Sequence, residues 1–154
     1  MGIHDLDWLL WTFGPAEHVY ARGLLARRIP FLDYALITVR FCNGVLAHVE
    51  SSWAEAADFR VTGEVSGDGG LLTYDSAEST ALNVELRQPP VLPVGVIVPT
   101  SYTAESPYVS EQRHFARCVR GLEQPLITPE QAYDSLRLAL SALDSVMSGQ
   151  PVAL

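Results

Sequence analysis

The stretch Asp33–Trp53, with the sequence DYALITVRFCNGVLAHVESSW, decides the fold of this chain of 154 residues. Its first half alternates, and the residues on one face of the predicted strand are all apolar: Ala35, Ile37, Val39 and Phe41. Asn43-Gly44 then separates this strand from a second one, which runs from Val45 to Trp53. Because Asn-Gly between two alternating runs is the strongest short signal of a β-hairpin, the stretch predicts two antiparallel strands.

Further strands are predicted on both sides of this hairpin. His18–Leu25 is a weaker candidate before it, and three candidates follow it: Phe59–Ser66, Leu71–Tyr74 and Thr80–Arg87. The first two of these three are joined by the glycine-rich turn Gly67-Asp68-Gly69-Gly70. Tight turns between most strands favour a largely antiparallel sheet. Pro89–Ala104 carries four prolines and no helical period, which predicts an irregular crossing loop.

Three helices complete the predicted fold. The first, His4–Phe13, has Leu6, Leu9, Leu10 and Phe13 at helical spacing and ends at Gly14-Pro15. The second begins at Ser106-Pro107 and ends at Gly121, and the third begins at Thr128-Pro129-Glu130-Gln131 and ends at Gly149. The residues predicted to form the buried stripe of the third helix are Ala132, Leu136, Ala139, Leu140, Leu143, Val146 and Met147. These elements predict an α+β fold, an open and largely antiparallel sheet with helices on one face.

The other face of the predicted sheet also carries apolar side chains. Leu36 and Leu46 lie opposite the apolar residues Ile37 and Val45, and Trp53 lies at a strand end. An open sheet with two partly apolar faces is usually covered by its own helices and by a partner. We therefore expect the chain to form a homo-oligomer through the open face of its sheet.

Composition excludes several classes of protein. Hydrophobic residues make up 48% of the chain and the formal net charge is −8, so a disordered tail and a nucleic-acid-binding protein are both disfavoured. We expect no membrane span and no secretion signal, because neither pattern is found in the sequence. The two cysteines, Cys42 and Cys118, lie in apolar patterns and are predicted to be buried and reduced, which favours a cytoplasmic protein.

His4 is the first candidate for chemistry, at the start of the first helix. An imidazole exchanges protons most readily near neutral pH and suits a general acid or base, but the spacing alone favours a solvated histidine at a helix start. The four histidines fall on different elements, so no metal site is expected. The glycines of Gly63–Gly70 precede a strand rather than a helix, and they predict turns rather than a dinucleotide-binding loop.

The ordered set of motifs resembles the C-terminal domain of the Gfo/Idh/MocA family, which includes glucose–fructose oxidoreductase and inositol dehydrogenase. Gly2-Ile3-His4-Asp5-Leu6-Asp7 resembles the G-x-H-x-x-D helix that opens this domain. Asp33 with Arg40-Phe41-Cys42-Asn43-Gly44 resembles the hairpin of the family, and Thr128-Pro129-Glu130-Gln131-Ala132 resembles the start of its terminal helix. The resemblance extends over nearly the whole chain.

This resemblance implies an open sheet of the kind found in the C-terminal domain of dihydrodipicolinate reductase, and a single domain over residues 1–154. It implies that His4 is the catalytic histidine and that Asp7 either contacts the substrate or holds the helix start. The implied substrate is a sugar or polyol. The NAD or NADP of the intact protein would be bound mainly by an N-terminal Rossmann domain that these residues do not contain, and no cofactor site is expected in the chain itself. The alternative is a free-standing, non-catalytic binding or assembly module.

Overall fold

The computed structural model of the chain describes residues 2–24, 33–53, 60–78, 82–86 and 106–154. The chain forms two compact units, of which the first contains Met1–Glu55 and Gln124–Leu154 and the second contains Ala56–Glu123. The helices are α1 (Ile3–Phe13), α2 (Pro107–Val119) and α3 (Pro129–Ser148). The strands are β1 (Ala16–Leu24), β2 (Tyr34–Phe41), β3 (Leu46–Ser52), β4 (Thr62–Gly67), β5 (Gly70–Asp75), β6 (Leu82–Leu86) and β7 (Val152–Ala153).

The predicted Asn-Gly hairpin is confirmed as the antiparallel pair β2 and β3. Its loop is one residue longer than the Asn-Gly pair, because the Phe41 N–H donates to the Val45 carbonyl and leaves Cys42, Asn43 and Gly44 between them. Gly44 has a φ of 90°, which an L side chain rarely adopts. The Asn43 side chain donates to the Phe13 carbonyl at 3.0 Å, and this bond ties the turn to the end of α1.

The first unit is a four-stranded antiparallel sheet in the order β3-β2-β1-β7. The weaker strand candidate is confirmed as β1, although Leu25 lies outside the described residues. The side chains predicted to share one face of β2 do so, since Ile37, Val39 and Phe41 are buried and Ala35 packs against them. This face of the sheet forms the core together with α1 and α3.

Helix α1 buries Leu6 and Leu9 as predicted, while Leu10 and Phe13 pack at the margin of the core. Gly14 ends the helix with a φ of 85°. Helix α3 begins with the predicted capping box, in which the Thr128 hydroxyl accepts from the Gln131 N–H and the Gln131 side chain accepts from the Thr128 N–H. Gly149 ends α3 in the left-handed conformation.

The prediction for the buried side of α3 was wrong. The buried residues are Ser135, Leu138, Ala142 and Ser145, while Leu136, Leu140, Leu143 and Met147 are exposed and only Ala139 and Val146 of the predicted stripe pack on the core. The small side chains face the sheet because α3 approaches β1 closely enough for the Ser145 hydroxyl to accept a hydrogen bond from the Ala21 N–H at 2.9 Å. Hydrophobicity alone therefore selected the wrong side of the helix.

In the second unit, β4, β5 and β6 form a separate three-stranded antiparallel sheet. The predicted glycine-rich hairpin is confirmed, because Gly67 pairs with Gly70 across the turn Asp68-Gly69. Phe59 and the residues 80, 81 and 87 of the predicted strands lie outside the described residues, as does the whole of the predicted loop Pro89–Ala104. Helix α2 begins after Ser106 with Pro107 at its first position, and Gly121 follows its end with a φ of 71°.

The carboxylate of Asp75 accepts several hydrogen bonds in the second unit. Arg60 donates hydrogen bonds to both of its oxygens and the Ala77 N–H donates to Oδ1, and these bonds lower the pKa of Asp75 to about 2. A carboxylate with a depressed pKa in the folded state stabilises that state above its ordinary pKa and loses this effect as the pH falls through about 2. We expect the β4–β5 hairpin to loosen between about pH 4 and pH 2 for this reason.

An NMR titration of the Asp75 carboxyl carbon tests this expectation. Asp75→Asn is expected to remove the acid-induced change in the β4–β5 amide signals, whereas Asp68→Asn, in the turn of the same hairpin, keeps it. A carboxyl group that titrates near its ordinary value of 3.8 would show that the ion pair with Arg60 does not hold in solution.

The prediction that both cysteines are buried was wrong. Cys42 is exposed because it lies in the loop of the hairpin, and Cys118 is partly buried on α2; both are free thiols. Among the residues that the structure describes, no helix combines the length and the apolar character that crossing a membrane requires.

Candidate functional site

His4 lies in the first turn of α1 with its side chain exposed. Trp8 and Trp11 follow it at spacings of four and three residues, so the three side chains share the exposed side of the helix. Their exposure agrees with this, since Trp8 is 47% and Trp11 73% accessible to solvent. Burial raises the pKa of the neighbouring Asp5 carboxyl, and the charge of His4 opposes part of that rise.

Asp7 lies on the flank of α1 that faces α3. Its Oδ1 atom accepts a hydrogen bond from the hydroxyl of Ser135 at 2.5 Å, and Ser135 is buried. The same hydroxyl lies 3.0 Å from the Gln131 carbonyl oxygen, one turn earlier on α3. Asp7 therefore joins the first and last helices of the chain, a partner that the sequence analysis did not identify.

A groove of about 450 Å³ lies between α1 and α3. We call it the helical groove; the residues that line it include Trp8, Trp11, Leu126, Ile127, Asp134 and Arg137. Asp7 also lines this groove, whereas His4 does not. The two predicted site residues thus lie one turn apart on α1, but the structure does not bring them together in one cavity.

A second, smaller cavity of about 210 Å³ lies where α1 begins, against β2 and β3. Gly2 lines it, and a Cβ atom placed on Gly2 would lie 2.7 Å from the hydroxyl oxygen of Ser51. Asp33, which the sequence analysis placed before β2, is fully buried beside this cavity. The start of α1, next to His4, is therefore packed closely against the ends of two strands.

Tyr34 and Glu50 form a polar contact on the open face of the sheet, next to this end of the domain. A hydrogen bond with Glu50 raises the pKa of the Tyr34 hydroxyl, because the bond stabilises the protonated phenol next to a carboxylate. The same open face carries Leu36 and Leu46, which are 42% and 63% exposed. The predicted second apolar surface of the sheet is thus present, interspersed with polar side chains.

The second unit contains a cluster of polar side chains that the sequence analysis missed. On α2, His114 and Cys118 are four residues apart, and the Cys118 Sγ atom lies 3.4 Å from the His114 Nε2 atom. Glu123 contacts the His114 Nδ1 atom at 2.8 Å and also pairs with Arg117; these two partners lower the pKa of the Glu123 carboxyl. Within the described ranges, no group of three or more histidine, cysteine or acidic side chains has the arrangement of a metal site.

The glycines of Gly67–Gly70 form the hairpin turn between β4 and β5. A dinucleotide-binding loop leads from a strand into a helix whose N-terminus faces the pyrophosphate. A strand-to-strand turn does not provide that geometry, so these glycines do not fit a nicotinamide dinucleotide.

The first unit combines an antiparallel sheet, covered by helices on one face, with a histidine in the first turn of its opening helix. Residues 1–73 match the family model of the GFO/IDH/MocA C-terminal domain. The resemblance predicted from the sequence is thereby confirmed.

Curated relatives extend the match to the whole chain. The scyllo-inositol 2-dehydrogenase (NAD(+)) of Bacillus subtilis is 26% identical over 160 residues, which cover 99% of this chain and 46% of the relative. The uncharacterized oxidoreductase YrbE of the same bacterium is 26% identical over 163 residues, covering 100% of this chain and 47% of the relative. The chain thus spans about half the length of the curated relatives that it matches.

A solved structure shows the same fold. The WlbA dehydrogenase of Bordetella pertussis, determined in complex with NADH and UDP-GlcNAcA, superposes with a TM-score of 0.77 at 20% identity, over 99% of this chain and 43% of that protein. The predicted α+β fold class is confirmed by this similarity.

Removing the Ser135 hydroxyl tests the role of Asp7 within the fold. We expect Ser135→Ala to lower the free energy of unfolding by about 1–3 kcal/mol, the range for a hydrogen bond to a charged group or for a polar group left without its partner. A double-mutant cycle with Asp7→Ala, measured by urea unfolding, isolates the coupling between the two side chains. A coupling energy near zero would show that Asp7 does not hold α1 against α3.

Proposed function

We propose that this chain is the substrate-side domain of an NAD(P)-dependent oxidoreductase that acts on a sugar, a polyol or a related carbinol. The single observation that carries the proposal is the position of His4, exposed in the first turn of the helix that the family model covers. The curated relative that acts on scyllo-inositol and the solved relative that binds NADH both support this class of reaction.

In the proposed reaction, a hydride passes between a carbinol carbon of the substrate and C4 of the nicotinamide. His4 accepts the hydroxyl proton as the alcohol is oxidised, and it returns the proton when the reaction runs in reverse. The exposed imidazole is suited to this role because it can reach a substrate outside the domain. Asp7 either contacts a substrate hydroxyl or holds α1 in place through Ser135, and the bond to Ser135 supports the second role.

The nicotinamide dinucleotide of the intact protein is bound by a Rossmann domain outside this chain. Because the chain spans about half the length of its curated relatives, that domain accounts for the part of the relatives that the chain does not match. This proposal places His4 on one wall of a cleft and the nucleotide on the other. It also places the protein in the cytoplasm, where pyridine nucleotides and reduced thiols are both found.

The purified chain provides the direct test. We expect it to show no turnover and no tight nicotinamide binding with NADH or NADPH and a panel of sugars and polyols, because the hydride carrier has no site on it. The complete protein, in which a nucleotide-binding domain accompanies the chain, is expected to oxidise at least one of these substrates. Turnover by the chain alone would contradict the proposal, and a complete protein without any would favour a non-catalytic assembly module.

Self-association through the open face of the sheet is part of the same proposal. Leu46 lies on this face and is 63% exposed, so a charge at this position disrupts an interface there without disturbing the core. We expect Leu46→Glu to shift the sedimentation of the chain from an oligomer to a monomer, whereas Met147→Glu on α3 leaves it unchanged. A monomeric wild-type chain, or an oligomer that persists in Leu46→Glu, would contradict this assembly.

A further inference from the structure

The second unit holds a thiol, an imidazole and a carboxylate in contact with one another. His114 and Cys118 are four residues apart on α2, so their side chains are neighbours on one side of the helix. The Cys118 Sγ atom lies 3.4 Å from the His114 Nε2 atom and 4.0 Å from Nδ1, which makes Nε2 the nearer ring nitrogen. The His114 Nδ1 atom lies 2.8 Å from Glu123 Oε2. A nucleophile beside an imidazole that a carboxylate orients is the arrangement by which proteins activate thiols and hydroxyls.

The end of α2 brings Glu123 back towards the helix. The Gly121 N–H donates to the Cys118 carbonyl and the Leu122 N–H donates to the Arg117 carbonyl, both at 2.9 Å, and these are the two bonds of a Schellman motif. Gly121 has the positive φ of 71° that this motif requires. The chain therefore reverses direction directly before Glu123, whose carboxylate pairs with Arg117.

Glu123 determines which nitrogen of His114 carries the hydrogen. Hydrogen bonds from His114 and Arg117 lower the pKa of the Glu123 carboxyl, so this group is ionised near neutral pH and can only accept hydrogen bonds. The Nδ1 atom of His114 is therefore the donor in this pair, and in the neutral ring the Nε2 atom keeps its lone pair. This lone pair is available to the thiol proton of Cys118, and such contacts are often longer before a substrate binds.

The second unit contains a single cysteine. The sequence has two, and the other, Cys42, belongs to the first unit. A sulfur atom that exchanges with Cys118 therefore comes from outside its own unit. Because Cys118 is only partly exposed on α2, a small disulfide reaches its sulfur more readily than a large one.

We propose that Cys118 is a site of thiol–disulfide exchange with a low-molecular-weight disulfide, in which His114 is the base and Glu123 is a positioning residue for His114. The thiol proton passes to Nε2, and the thiolate attacks one sulfur of the disulfide and breaks its S–S bond. A new S–S bond joins this sulfur to Sγ, while the other sulfur leaves as a thiolate and takes the proton from Nε2. Cys118 is oxidised and the leaving sulfur is reduced, so no further reactant is needed. This inference does not depend on the proposed function.

The full chain carries its own control thiol. Cys42 is exposed in the loop of the first hairpin, and among the described residues it makes no hydrogen bond with a histidine. Mass spectrometry of the modified peptides gives the rate at which oxidised glutathione reacts with each cysteine. We expect Cys118 to react about tenfold faster than Cys42 at about pH 7, although it is less exposed. This difference is expected to disappear at about pH 10, where an isolated thiol is already ionised.

Two substitutions test the roles of the neighbouring side chains. His114→Gln is expected to lower the rate at Cys118 about tenfold at about pH 7 and to leave it unchanged at about pH 10. Glu123→Gln is expected to have a smaller effect with the same dependence on pH, because a neutral amide no longer selects the tautomer of His114. His48→Gln, at an exposed histidine on β3, leaves both rates unchanged.

Three results would overturn the proposal. A reaction of Cys118 at about pH 7 that is no faster than that of Cys42 would show that the imidazole does not activate the thiol. An equal loss of rate at both pH values in His114→Gln would show that the histidine controls access to the sulfur and not its proton. A product in which Cys118 is joined to Cys42, or to a second copy of the chain, would identify a protein thiol as its partner in place of a small disulfide.

Discussion

Replacing His4 by glutamine is expected to lower kcat of the complete protein by about 10²–10⁴-fold, the usual contribution of a positioned general acid or base. Glutamine keeps a polar side chain of similar length but cannot carry a proton near neutral pH. Since His4 is exposed on a helix, the substitution is expected to change the free energy of unfolding by less than about 0.5 kcal/mol. The expected loss of activity therefore reflects impaired proton transfer and not a loss of folded protein.

His18→Gln is the matched control, because His18 is also an exposed histidine but lies on β1, on the open face of the sheet. Steady-state kinetics of both variants, with the affinity for the nucleotide measured in parallel, distinguish the effect of the His4 substitution from that of the His18 substitution. An unchanged nucleotide affinity with a reduced kcat is the signature of lost acid–base catalysis. A His4→Gln protein that retains more than about a tenth of the wild-type kcat would show that His4 is a solvated helix-start residue, since general acid–base catalysis contributes at least a hundredfold.

Replacing Ser145 by alanine is expected to lower the free energy of unfolding by about 2–4 kcal/mol, because each buried polar group left without a partner costs about 1–3 kcal/mol. Ser145 is fully buried; its hydroxyl accepts from the Ala21 N–H at 2.9 Å and donates to the Gln150 carbonyl at 2.7 Å. Strand β7 pairs with β1 only at His18 and Val19. The Ser145 hydroxyl therefore accepts the hydrogen bond from the Ala21 N–H that a longer β7 strand would otherwise accept.

Urea unfolding of Ser145→Ala and Ser148→Ala measures this effect against a control on the same helix. Ser148 is exposed; its hydroxyl donates to the Asp144 carbonyl at 2.8 Å and accepts from the N–H of the exposed Gln150 at 3.3 Å. Because water can replace both bonds at the surface, its removal is expected to change stability by less than about 0.5 kcal/mol. Equal stability of the two variants would show that Ser145 does not anchor α3 to the sheet. Loss of the anchor in Ser145→Ala is also expected to speed hydrogen exchange at the Ala21 amide.

Local sequence patterns predicted the structure correctly wherever interactions between neighbouring residues determine the backbone conformation. The Asn-Gly turn, the glycine-rich turn and the Thr128–Gln131 capping box were all predicted correctly, since each depends on interactions within a few residues. The alternation of β2 also predicted its buried face correctly, because Ile37, Val39 and Phe41 differ clearly from their polar neighbours. The motifs that resemble the family lie on these same elements.

Sequence patterns did not predict the buried side of a helix correctly where both of its sides carry residues that can be buried. The buried side of α3 combines Leu138 with the small residues Ser135, Ala142 and Ser145, whereas several of its large apolar residues lie on the exposed side. Ser135 and Ser145 are polar in sequence but buried in the structure, because each finds a hydrogen-bond partner more than 120 residues away. No local pattern contains such a partner.

The sequence by itself determined the elements, their antiparallel connection and the position of His4 at the start of a helix, because turns, caps and alternation act over short distances. The tertiary structure alone decided which side of α3 meets the sheet, that Asp7 binds Ser135 and that Trp8 and Trp11 line a groove. These features depend on the close approach of segments at opposite ends of the chain, which is set by packing and by the need to satisfy buried polar groups.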